Sequence, residues 1–141
     1  MNSKEKYFAW SDAWVFASLR GATNENSFNF VSFLATADML NHAILRLDEV
    51  KQGFAKLYIR GLIEIEKENI KKTELAETLY IKVDKKRGGL FSLVDNCLSV
   101  LNSPRTKLPQ LDVPPDLEFI TPEYMSNKYK EYSEWAKPYI N

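Results

Sequence analysis

The stretch GFAKLYIRGLIEIEKENIKKTEL, Gly53 to Leu75, constrains the fold of this chain more than any other. Val50, Phe54, Leu57 and Tyr58 fall at i, i+4, i+7 and i+8, one apolar stripe on a helix from about Asp48 to Arg60. Gly61 stands where a left-handed residue would stop that helix. Leu62, Ile63 and Ile65 then read as a short strand, with Glu64, Glu66 and Lys67 supplying the polar alternates and the turn. Ile70 to Lys72 returns as a second strand, and Thr73 is placed to cap a helix from Glu74 to about Lys85.

Upstream, Ser11 is expected to cap a helix over Asp12 to Gly21, with Asp12 in the first turn, where the dipole favours an acid. Trp14, Val15, Phe16, Ala17 and Leu19 make this helix apolar nearly all round, the mark of a helix central to a core. A second helix is expected over about Phe28 to Leu40, with Phe30, Val31, Leu34, Ala37 and Met39 at helical spacing. It joins the third through Asn41 to Leu45, a connector without glycine or proline. Downstream, Arg87-Gly88-Gly89 breaks the fourth helix. A fifth, Leu90 to Leu101, carries Leu90, Phe91, Val94, Cys97, Leu98 and Leu101 on its apolar stripe.

Composition changes at Pro104. The stretch PRTKLPQLDVPPDLEF holds four of the six prolines and is expected to be extended. Thr121-Pro122-Glu123 combines a cap, a proline at the first helical position and an acid, a strong start for a last helix over about Pro122 to Ala136. Tyr124, Tyr129, Tyr132 and Trp135 give that helix an aromatic edge that needs a partner surface, either the same chain or a second copy. The expected organisation is a core over 1–102 and, over 103–141, an extended arm whose helix packs on that core.

A length of 141 residues fits one domain with an appendage, able to bury roughly two-thirds of the surface its unfolded chain exposes. Nineteen basic and nineteen acidic residues balance, whereas strong nucleic-acid binders usually carry a basic excess. The single cysteine excludes a disulfide framework, the start MNSKEKYFAW lacks the apolar run of a signal peptide, and no segment approaches a membrane span. A cytoplasmic protein is the expectation.

The pattern V-x-x-x-F-x-x-L-x-x-x-G-L-I, Val50 to Ile63, resembles the recognition helix and first wing strand of winged helix-turn-helix regulators of the multiple-antibiotic-resistance repressor (MarR) type. The stretch DMLNHAI, Asp38 to Ile44, followed by Glu49 and then GLI, is also similar to a group of bacterial winged-helix proteins without an assigned activity. The resemblance covers about Ser11 to Leu75. It implies a mainly α fold: a winged-helix-like core with a small β-wing, two further helices and a C-terminal arm ending in a helix. It further implies double-stranded DNA as a partner, a homodimer and the third helix in the major groove. Regulators of this kind often take small aromatic effectors at dimer junctions, so the ring-rich first third of the chain is read either as core or as the wall of a pocket between the first two helices and the arm. Two features depart from the pattern: the connector from Leu40 to Asp48 is longer than a tight turn, and the third helix opens with Asp48-Glu49, two acids where bases would be read.

On the DNA reading, the outward face of the third helix is Lys51, Gln52, Ala55, Lys56 and Ile59. Lys51 and Lys56 would meet phosphates and Gln52 an adenine edge. A wing tip at Lys67-Glu68-Asn69, backed by Lys71 and Lys72, would touch the backbone, although Glu64, Glu66 and Glu68 interleave with these lysines. The densest basic run, Lys82, Lys85, Lys86 and Arg87, complements a helix C-terminus or binds phosphate. His42 with Asp38 is too few ligands for a metal site, and Cys97 sits on an apolar stripe. No phosphate loop, metal-spaced cluster or nucleophile motif is present, so neither an enzyme nor a cofactor is expected. Two functions stand: a DNA-binding transcriptional regulator, or a protein-interaction or structural module that keeps the winged-helix shape without DNA affinity.

Overall fold

The structure, a computed structural model, describes residues 6–22 and 27–140, without the side chains of 138–140. It is mainly helical with one small sheet. The order is α1 (Trp10–Leu19), α2 (Phe30–Asn41), α3 (Leu47–Ile59), β1 (Ile63–Glu66), β2 (Asn69–Lys72), α4 (Glu74–Asp84), a 3-10 turn (Leu90–Ser92), α5 (Leu93–Leu101) and α6 (Pro122–Ile140). Three helices followed by a hairpin is an order compatible with a winged-helix-like layout.

Helix α1 is buried from Asp12 through Leu19 and packs on α2, α3 and α5, the central position its all-round apolarity demands. It starts one residue before Ser11, which is therefore not its cap. Ala9 holds the cap position and has no side chain to offer, so Asp12 reaches back and its Oδ2 accepts the Ala9 N–H at 2.7 Å. The α1–α3 crossing is close because α3 presents Gly53 there: a Cβ on Gly53 would lie 2.8 Å from a methyl of Val15.

Asn29, not a residue before Phe28, opens α2: its Oδ1 accepts the Ser32 N–H at 2.9 Å. Phe30, Phe33 and Leu34 are buried, while Met39, expected inward, is 55% exposed because it lies past the edge of that stripe. His42 ends the helix in the left-handed conformation, φ 52°, with its N–H on the Asp38 carbonyl, a role usually left to glycine or asparagine. Val50, Phe54 and Leu57 bury the inner face of α3 as their spacing predicts, and Gly61 at φ 75° turns the chain into the hairpin. Phe54 meets Phe28, Phe30 and Phe33 in one ring cluster, with edge and tilted contacts.

The hairpin pairs Ile63 with Lys72, Glu64 with Lys71, Ile65 with Ile70 and Glu66 with Asn69. Two strands alone are marginal. This pair is held by Ile63 and Ile70, both buried in the core, and by Asn69, whose Oδ1 accepts the Phe28 N–H. Thr73 caps α4 as predicted, accepting the Ala76 N–H. The fifth helix is shorter than expected. Gly88 and Gly89 both take positive φ and lead into the 3-10 turn, which swings Leu90 and Phe91 off the stripe; Phe91 is 97% exposed. The arm carries no regular secondary structure until Thr121, whose hydroxyl accepts the Tyr124 N–H and starts α6. Helix α6 lies on α2: the Tyr129 hydroxyl donates to the Leu45 carbonyl and that of Tyr132 to Asp38 Oδ2 at 2.8 Å. The aromatic edge thus meets this chain's own core, although Trp135 stays 58% exposed.

Candidate functional site

Helical spacing sets Asp48, Gln52, Ala55 and Ile59 opposite the buried Val50, Phe54 and Leu57, so these four make the outer face of α3. Lys51 flanks it on one side. Lys56 was expected on this face but turns the other way: its Nζ lies 2.8 Å from Asp12 Oδ2 and donates to the Tyr7 carbonyl at 2.9 Å. The reason is electrostatic. Asp12 has no exposed surface, and a buried carboxylate draws the nearest cation. At the N-terminus of α3, Arg46 bonds Asp48 at 3.2 Å, and Glu49 accepts the Arg46 N–H at 2.9 Å. The end that would meet base edges is acidic, and its one arginine is already paired.

The hairpin divides its cations. Lys71 is exposed and stands directly opposite Glu64. Lys72, one residue on and therefore on the other face, turns toward α4, where Nζ is 3.5 Å from Glu77 and 5.5 Å from the Tyr80 ring centroid. The expected row of Lys51, Lys56, Lys71 and Lys72 is not one stripe, since Lys56 and Lys72 both face inward. The tip is Lys67-Glu68 alone, with Lys67 at φ 57°, because Asn69 is committed to Phe28.

Sequence reasoning did not foresee the path of the arm. Leu111 donates its N–H to the Ile59 carbonyl at 2.8 Å, and Pro109 presses on Gly61, where a Cβ would lie 2.4 Å from its Cγ. Pro114, Pro115, Asp116 and Phe119 continue past Tyr58, Ile65 and the Lys67-Glu68 tip, lining one cleft with them. The strip between the C-terminal end of α3 and the hairpin is therefore bordered by chain that brings Asp116 and Glu118 with it. The proline content predicted an extended segment, but nothing local says what an extended segment lies against.

A denser group of cations lies elsewhere. A cleft of about 800 Å³ runs between the C-terminal part of α4, the exposed side of α5 and the turn after it. Lys82, Lys85 and Lys86 come from the α4 side, Arg105 from the turn and Lys6 from the N-terminal segment. None of the five forms an ion pair with a described carboxylate. Asp95, the one acid in the lining, accepts the Trp10 Nε1–H. Nearby Asp84 is engaged by Arg20 through two hydrogen bonds, which lower its carboxyl below the usual value. Three members of the basic run legible in sequence line the cleft and the fourth, Arg87, does not; the contributions of Lys6 and Arg105 were not legible.

A second cleft of about 680 Å³ lies between α2 and α6, where a ligand pocket was one of the two expectations, with Phe28, Met39, Tyr132 and Trp135 in its wall. Burial pushes the Cys97 thiol up to about 12, the state of a core residue and not of a nucleophile. Among the described residues no group of three or more His, Cys, Asp or Glu could hold a metal, and no helix is long and apolar enough to cross a membrane. Asp38 bonds Tyr132 and leaves His42 to its backbone role. The chain matches no protein-family model, and no curated protein or solved structure is significantly similar to it.

Proposed function

We propose that this chain is a protein-interaction module built on a winged-helix-like scaffold, and that its third helix does not read DNA. The observation that carries this reading is the arm. In a winged-helix reader the recognition helix and wing face the duplex together. Here the Leu111–Ile59 hydrogen bond and the prolines that line one cleft with Tyr58 and Ile65 run the arm along the C-terminal end of α3 beside the hairpin. The charges agree. The outer face of α3 offers Asp48, Gln52, Ala55 and Ile59, Lys56 and Lys72 are engaged inside, and Glu64, Glu66, Asp116 and Glu118 are exposed around the strip. Phosphates would be repelled from this surface. The exposed neighbours Leu90 and Phe91, in the α4–α5 connection, are an apolar projection of the kind that a partner can cover.

The test is binding to a random-sequence duplex at ~50 mM salt, where non-specific phosphate contacts register. Wild type is compared with Lys51→Glu/Lys71→Glu, which changes only the outward lysines. No binding dependent on these two residues is the expected result. Salt-sensitive binding that the double variant abolishes would return the chain to the DNA-binding regulators. Light scattering on the same samples reads whether the homodimer implied by the winged-helix resemblance forms.

A further inference from the structure

We infer that the cationic cleft between α4 and α5 is the docking site for an acidic segment of a partner protein, an assignment that rests on the interaction reading above. In a chain whose charges balance, five cations from three separated segments converge on one concave surface and find no described carboxylate to pair with. Such a field draws an anionic partner and speeds its encounter.

The form of the cleft selects among anions. No aromatic ring lines it, so single-stranded bases have nothing to stack on. A compact phosphate gains most from a helix N-terminus or an arginine fork. Here the first turn of α5 is taken by Asp95, and four of the five cations are lysines, which offer no fork. Cations drawn from the end of α4, the turn after α5 and the N-terminal segment match carboxylates spaced along a chain better than one compact anion. Leu98 and Pro104 give apolar contact between them.

The probe is a short fluorescein-labelled peptide of repeated Glu-Leu-Glu, followed by anisotropy at ~50 and ~300 mM salt. The full chain is compared with Lys85→Glu/Arg105→Glu and with Lys51→Glu/Lys71→Glu, an equal change of charge elsewhere on the surface. All four positions are at least partly exposed and in no ion pair with a described residue, so both variants are expected to fold, which circular dichroism checks. The expected result is peptide binding that weakens with salt, falls at least about tenfold in the cleft variant and is kept in the other. An equal fall in both variants would mean general attraction and overturn the assignment. Pyrophosphate displacing the peptide at lower concentration than free glutamate peptide would overturn it in favour of a phosphate ligand. No peptide binding would remove the cleft while leaving the interaction reading standing; duplex binding through Lys51 and Lys71 would remove both.

Discussion

The Lys56 ammonium sits 2.8 Å from Oδ2 of Asp12, a carboxylate with no exposed surface, and so ties α3 to α1 from within. The same oxygen accepts the Ala9 N–H, so Asp12 both closes the N-terminus of α1 and partners α3. A residue that reads as a phosphate contact is a structural one, and its replacement would confuse loss of binding with loss of fold.

Removing Lys56 leaves the fully buried Asp12 carboxylate without its cation and with the Ala9 N–H as its one remaining described partner. Lys56→Ala is therefore expected to cost about 3–5 kcal/mol, against less than about 0.5 kcal/mol for Lys51→Ala on the outer flank. Urea unfolding of the two variants measures the difference. Equal small losses would mean that water reaches Asp12.

Gly61 is held by two independent requirements, φ 75° and the approach of Pro109. Gly61→Ala should lose about 1–3 kcal/mol and expose the arm to limited proteolysis. Adding Pro109→Ala should relieve the steric part and leave the backbone part. If the double variant is no more stable than the single, the arm does not press on this turn in solution.

Phe54 has no exposed surface and lies among three other phenylalanines, so Phe54→Ala should cost about 3–5 kcal/mol. Met39→Ala, at an exposed position, should change the denaturant midpoint little. A small effect at Phe54 would place the wrong face of α3 against the core.

Alkaline stability follows from the tyrosines. Burial raises the Tyr129 hydroxyl well above its ordinary value of 10.0, the same cause carries Tyr124 to about 12, and fully buried Tyr80 is raised as well. The folded state thus holds these protons to higher pH than the unfolded chain does. The resulting stability is complete below about pH 10 and is lost as pH rises from there toward the folded values. Tyr129→Phe should flatten this loss, while costing about 0.5–1.5 kcal/mol at neutral pH through the hydrogen bond to Leu45. Melting temperatures of both proteins at a series of pH values check it; an unchanged alkaline slope would mean that Tyr129 ionises freely in the folded state.

What the sequence determined by itself is local: the stripe Val50-Phe54-Leu57, the stop at Gly61, the alternation that sets the hairpin, and the caps at Thr73 and Thr121. Each depends on a residue and its neighbours within a turn or two, where periodicity and backbone preference decide. Only the tertiary structure decided that Lys56 faces Asp12 across 44 positions, that Leu111 crosses Ile59, that Leu90 and Phe91 point away from the core, and that Lys6 and Arg105 join the lysines of α4. These outcomes depend on which distant groups meet. A long flexible cation or an extended proline-rich segment has no preferred direction until a buried charge or an apolar surface elsewhere in the chain supplies one.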